Sequence, residues 1–258
     1  MKRAHLPLTV VLLALLALTA VSCRSGPKDD PLLRLGAEES LVQGKELMAK
    51  KKYARARPYF THAFEVEPNS AIGREGLLLA ADTFYLEGGS ANFLQAEAKY
   101  RDYLNRFPTS AQAPYVQFQI ANSLAKRMEK PDRDQSGTRK AMEAYQELVR
   151  LYPTSEYAQQ AQEQIKLVQI NLAEHEFVIG RFYLRYGLAF AAVERFEFLL
   201  ATYPSYADKA KIYYHLGVAQ QKLGKPEEAK KAFDRLRTED PDSPWIAEIP
   251  ELKNGASK

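Results

Sequence analysis

Five prolines constrain this chain more than any other feature. "KYRDYLNRFPTSAQAPYV" from Lys99, "AYQELVRLYPTSEYAQQA" from Ala144 and "RFEFLLATYPSYADKA" from Arg195 share one phrase. Weaker copies read "YFTHAFEVEPNSAIGR" from Tyr59 and "AFDRLRTEDPDSPWIA" from Ala232. In each, an aromatic-rich helical stretch meets a proline, which lacks a donor and clashes with the preceding turn. The Ser or Thr that follows can cap the next helix by accepting from a free backbone N–H. One stop-and-start phrase used five times implies one structural unit used five times.

The spacing identifies the unit. Gly44 is followed by Ala56 at +12, Phe60 at +16 and Pro68 at +24. Gly180 is followed by Ala192, Phe196 and Pro204, and Gly217 by Ala229, Phe233 and Pro241, at the same offsets. Two middle units keep the second half: Ala96, Tyr100 and Pro108, then Ala141, Tyr145 and Pro153. These are the offsets of the tetratricopeptide helix-turn-helix pattern. The small residues let neighbouring helices approach, and the aromatic at +16 is expected to fill the seam between repeats. The fold class is therefore all-α: a right-handed α-solenoid of five tetratricopeptide-like helix pairs. The units span about 35–68, 71–108, 111–153, 156–204 and 206–241.

Departures from the pattern carry information. Ala81 and Ala121 stand in the first-helix slots of units two and three, three and eight residues further from their prolines than the standard 24. "LEGGSANF" at Leu86 reads as a loop between helices, and "KPDRDQSGTRK" as a charged one. Pro153 and Gly180 are 27 positions apart, against 13 for Pro204 and Gly217. That surplus is about four helical turns. Residues 156 to 186 are expected to form one long first helix in unit four, with projecting turns that have no partner in a regular stack. Pro58 places the start of its helix near Ala54. Trp245 and Ile246 are expected to cover the open face of the last repeat, the array ending at 245 and a tail following at 246–258; the alternative is Trp245 as a partner hot spot.

The N-terminus reads as an address. "LTVVLLALLALTAV" is an apolar run of 14 residues after a basic start, too short for a membrane span and suited to an export signal. "TAVSC" resembles the bacterial lipobox, with Cys23 the only cysteine. Residues 1–22 are then a lipoprotein signal, Cys23 carries S-diacylglycerol and an N-acyl chain, and residues 23–34 form an acylated flexible tether. Two or three chains hold a protein on a membrane durably, whereas one is marginal. The residue after Cys23 is Arg24 and not the Asp that retains some lipoproteins in the inner membrane, so the resemblance implies the periplasmic face of the outer membrane as the destination.

Catalysis has no signature here. Among His5, His62, His175 and His215, none has a His or Cys three or four residues on. "EHE" from Glu174 to Glu176 reads as a solvated face, since adjacent helical residues point about 100° apart. No nucleophile-elbow or phosphate-loop spacing occurs. No enzyme activity, cofactor or metal is expected, and a net charge of +4 gives no argument for nucleic acid. What a stacked array offers is surface.

Two stretches make that offer specific. "DRDQSGTRKAMEAYQELVRLYPTSEYAQQA", residues 132 to 161, and "EHEFVIGRFYLRYGLAFAAVERFEFLLATYP", from Glu174, resemble the BamD/competence lipoprotein family. The resemblance implies a scaffold of the β-barrel assembly (BAM) complex. Its partners are the periplasmic domains of a BamA-like barrel protein, accessory lipoproteins and unfolded outer-membrane proteins. Arg195 matches the family's partner-binding arginine on the second helix of unit four; Arg181, Tyr183 and Arg185 are grouped with it. "EPNSAIG" and "RYG" depart from the family's pattern and bear on an N-terminal substrate pocket. Two rival readings are a Tol–Pal-type scaffold, for which residues 24 to 40 are too short to form the coiled coil, and a cell-wall hydrolase, for which no residues remain.

Overall fold

A computed structural model describes residues 30–251. Those residues form an all-α solenoid of helix pairs, with no strand among them. The pairs are α1 (Ala37–Ala49) with α2 (Tyr53–Val66), α3 (Ala71–Glu87) with α4 (Ser90–Arg106), α5 (Ala113–Ala125) with α6 (Ser136–Leu151), α7 (Glu156–Arg185) with α8 (Ala189–Thr202), and α9 (Lys209–Lys222) with α10 (Pro226–Glu239). Each helix packs on the one before and the one after it. First helices also touch across units, α1 on α3, α5 on α7 and α7 on α9, so they line the inner face.

The five prolines act one residue upstream. Proline disfavours the helical region for its predecessor. Glu67, Phe107, Tyr152, Tyr203 and Asp240 accordingly leave the helix at φ between −146° and −122° with ψ of 57° to 79°. Restart capping is more selective. Ser70 Oγ accepts from Gly73 N at 2.9 Å and Ser155 Oγ from Ala158 N at 3.2 Å, while Ser110 caps only a turn, accepting from Gln112 N.

Inside each pair the small and aromatic positions meet. The +12 alanines are fully buried, and Phe60, Tyr100, Tyr145, Phe196 and Phe233 are at most 1% exposed. The aromatic does more than fill the seam between repeats: it lies against its own unit's glycine. A Cβ on Gly44, Gly180 or Gly217 would sit 2.6, 2.5 or 2.4 Å from the Phe60, Phe196 or Phe233 ring. Units two and three use alanine and tyrosine instead. There the hydroxyl reaches the next residue of the first helix: Tyr100 donates to Asp82 Oδ1 at 2.6 Å and Tyr145 to Asn122 Oδ1 at 2.7 Å.

The irregular segments fold differently from their sequence reading. Residues 30 to 34 are not a flexible tether: Asp30 accepts from Leu32 N and caps a 3-10 turn, Pro31–Arg34. The loop at Leu86 shrinks to Gly88 and Gly89, both at positive φ, because the flanking residues continue α3 and α4. Ser136 to Lys140 open α6 rather than extending the charged loop, which therefore covers 126–135. α2 starts at Tyr53, which leaves Pro58 one turn inside an exposed helix surface, where it removes a single backbone bond. The turns of α7 expected to project unpartnered are held by that same charged loop: Asn171 Nδ2 donates to Glu129 O at 3.3 Å, and His175 Nδ1 to Pro131 O at 2.6 Å. Insertion and overlong helix thus satisfy each other. α7 also joins two cores, contributing Val168 and Leu172 to the central one and Ala173 and Phe177 to the C-terminal one. Trp245 stacks on Tyr214 of α9 with centroids 4.9 Å apart, covering the last unit.

Replacing Gly180 by Ala is expected to cost about 1–3 kcal/mol, because the Phe196 ring has no room to move. Gly137→Ala, inside α6 where a Cβ would meet only Arg127 O at an ordinary 3.9 Å, is expected to be neutral or better. Urea unfolding monitored by circular dichroism measures both.

Candidate partner-docking surface

The charged tripeptide Glu174-His175-Glu176 is a junction and not a solvated face. Successive helical residues diverge by about 100°, so each meets a different neighbour. Glu174 accepts from Lys211 Nζ at 2.7 Å and from the Tyr206 hydroxyl, both in unit five. His175 holds the unit-three loop. Glu176, 7% exposed, accepts from Arg195 Nη1 of α8 at 3.0 Å. Burial and the bond to Glu174 push the Tyr206 hydroxyl up to about 12. Burial alone would lower the Lys211 ammonium, but its bonds to Glu174 and Tyr206 hold it above the usual lysine range.

Beyond this junction α7 ends in an exposed apolar patch. Phe182 and Tyr186 are 54% and 65% exposed, with ring centroids 4.6 Å apart. Leu188 and Phe190, across the turn, are exposed to a similar degree. Arg181 and Arg185 lie one turn apart on α7 and, with Val178 and Phe182, line a cleft of about 240 Å³. Aromatic and arginine side chains around an apolar centre have the composition of an interface.

The four expected partner residues separate into two kinds. Arg181 and Arg185 are exposed on the patch. Tyr183 is half-buried against the C-terminal core, and Arg195 is already paired with Glu176. No hydrogen bond or ion pair joins Arg195 to the other three. Cys23 lies outside the described residues. Sequence reading passed over Phe182, Tyr186, Leu188 and Phe190, whose helical period matches that of core residues.

A second concavity lies on the inner face. About 480 Å³ in volume, it is lined by Arg74, Glu75 and Asp82 of α3, Tyr103 of α4, Tyr115 of α5 and Tyr157 of α7, among others. Asp82, 8% exposed, accepts from both Tyr100 and Tyr115. Burial raises its carboxyl to about 6, although both tyrosine bonds pull it down. Among the described residues no group of three or more His, Cys, Asp and Glu side chains could hold a metal, and no helix is long and apolar enough to cross a membrane.

Comparison with known proteins covers the whole array. The family model YfiO, described as outer membrane lipoprotein, matches residues 37–245. The outer membrane protein assembly factor BamD of Rickettsia prowazekii is 28% identical over 242 residues, spanning 93% of this chain and 95% of that protein. The BamD proteins of Caulobacter vibrioides and Neisseria meningitidis serogroup A are 24% and 26% identical, spanning 96% and 81% of this chain and 81% of each relative. Among solved structures, the TPR2AB domain of yeast Sti1 aligns with a TM-score of 0.45 at 16% identity, over 81% of this chain and 80% of that one.

Two outcomes are expected. The folded state holds more protons on Asp82 than the unfolded chain between about pH 4 and 6, so this group's contribution to stability falls as pH rises through that window. The penalty is on the order of 3 kcal/mol above pH 6. Asp82→Asn, which keeps an acceptor for both tyrosines, should flatten that part of the stability–pH curve and melt higher than the parent at pH 7.5. In a double-mutant cycle, Arg195→Ala and Glu176→Gln should couple by about 1 kcal/mol, a modest figure because the arginine is partly solvated.

Proposed function

The chain belongs to the YfiO family of outer membrane lipoproteins, and from that premise we propose that it is a lipid-anchored scaffold subunit of the machinery that assembles β-barrel proteins in the outer membrane. Relatives bearing the assembly-factor name over nearly the whole chain support this reading. The observation that carries it is the exposed aromatic and aliphatic patch at the end of α7. In this account the periplasmic domains of a BamA-like barrel protein dock there, with Arg181 and Arg185 at the rim. Arg195 takes part by offering its second face to a partner carboxylate while Glu176 holds the first. An arginine with two hydrogen-bonding edges can bridge two acids.

The inner-face groove suits extended, unfolded segments of outer-membrane proteins. Its tyrosines supply flat apolar contact and hydroxyls for a peptide backbone. Cys23 would carry the acyl chains that hold the scaffold at the periplasmic face, where accessory lipoproteins join it. The chain's work is positioning: residues orient and grip partners, and no reaction step is assigned to them.

The experiment is co-purification of the tagged chain with the barrel protein in detergent. Phe182→Ala combined with Tyr186→Ala is expected to reduce recovery of the barrel protein at least ~10-fold, as loss of a central anchor does. Leu94→Ala, at an equally exposed leucine on α4, should leave it unchanged. Undiminished recovery with the double variant would remove the patch from the interface.

A further inference from the structure

The turn between α1 and α2 departs from the pattern of its own sister repeats. Seven residues after the conserved-slot glycine, units four and five place Gly187 and Gly224 in the left-handed region, at φ of 78° and 69°. Unit one places Lys51 there, at φ 56°, the only described residue other than glycine with positive φ. A side chain at such a position is strained, and glycine relieves it. The neighbours are Lys50 and Lys52, and Arg55 follows in the first turn of α2; all four are exposed. Basic residues at a helix N-terminus oppose its dipole. Among the second helices only α10 has acids in its first turn, Glu227 and Glu228; α2, like the others, has none to neutralise the basic turn before it. Nearby cations are spoken for, Lys45 by Glu75 and Arg57 by Glu87. No carboxylate lies within 4 Å of the side-chain nitrogens of Lys50, Lys51, Lys52 or Arg55 among the described residues. The turn keeps the backbone closure of its sister units, with Lys51 N donating to Met48 O at 2.8 Å and Lys52 N to Leu47 O at 2.9 Å, but it carries a row of lysines where they carry glycine, and those side chains have no acidic partner among the described residues.

We propose that the Lys50–Lys52 turn, with Arg55, is a membrane-facing contact that binds the phosphate headgroups of anionic phospholipids beside the lipid anchor. The inference rests on the reading of Cys23 as the anchored residue. Asp30 is seven residue steps from Cys23, a reach of at most ~25 Å. The 3-10 turn, two extended residues and the 13 residues of α1 carry the chain at most ~35 Å further, so an array lying along the bilayer can bring the turn to the plane that holds Cys23. Charge complementarity selects the occupant: clustered lysines next to an acyl anchor add a second membrane signal where one alone is weak. The contact would fix how the array lies against the bilayer, which a tether leaves free.

The test uses the full-length protein reconstituted through its own N-terminal segment into vesicles. One set is phosphatidylcholine; the other contains about 30% phosphatidylglycerol. Acetylation of individual lysines by a water-soluble amine reagent is read by mass spectrometry, with exposed Lys99 and Lys231 as internal references. On anionic vesicles Lys50, Lys51 and Lys52 should react at least ~5-fold more slowly than on neutral ones, the references should not change, and about 0.5 M salt should abolish the difference. Lys51→Gly removes strain, so it should melt no lower than the parent while Lys50 and Lys52 lose about fivefold of their protection. Equal rates on both vesicles, or full protection in Lys51→Gly, would overturn the proposal. Equal protection by soluble polyglutamate beside neutral vesicles would reassign the turn to an acidic polypeptide. The mass of the N-terminal peptide separates the two readings. Acylated Cys23 without charge-dependent protection sinks this inference alone. Protection with unmodified Cys23 sinks the anchor reading and leaves the basic contact standing.

Discussion

The structure depends on the seating of an aromatic ring against a backbone that carries no side chain. At Gly44, Gly180 and Gly217 an aromatic edge occupies the space a methyl group would need. That contact sets how near the two helices of a pair approach, and the distance between pairs follows from it. Once the pairs are fixed, the pre-proline residues turn the chain back at the same angle each time. Tyr100 and Tyr145 achieve the same closure with a hydroxyl bonded one residue along, to Asp82 and Asn122. The array therefore repeats a geometry rather than a residue.

The proposed interface lies where the repetition is broken. α7 is overlong, and its excess turns are tied to the unit-three loop, to unit five and to α8 through three consecutive side chains. This makes a rigid strut between two cores. A rigid strut is what a partner surface needs at its end, because an apolar patch on a mobile segment would lose binding energy to ordering. Phe182, Tyr186, Leu188 and Phe190 sit where that strut stops. Asp82 is a second break: a carboxylate held in a mostly buried site beside the inner groove by two tyrosine hydroxyls.

Much of the architecture was legible in the residues, because the repeat's small, aromatic and proline positions act locally. Proline dictates the conformation of the residue before it, and spacing alone locates the long helix to within one residue of its end at Arg185. What escaped depends on contacts between distant segments. The solvated reading of Glu174 to Glu176 failed because helical geometry says only that the three diverge, not what each will meet. The charged loop at 126–135 looked like a spacer, and its role as the partner of Asn171 and His175 needs the fold to be seen. The docking patch was hidden for a related reason: Phe182 and Tyr186 have the same helical spacing as the core aromatics. The match of Arg195 to the family's partner-binding arginine could not show that a buried acid, Glu176, holds one of its edges within the chain.

The central claim is that the end of α7 is an interface with the barrel-assembly partner. A photo-crosslinking amino acid placed at position 182 in growing cells interrogates it directly. The account predicts a single high-mass adduct containing the barrel protein from position 182 and none from position 94. An adduct from position 94 with nothing from 182 would contradict it.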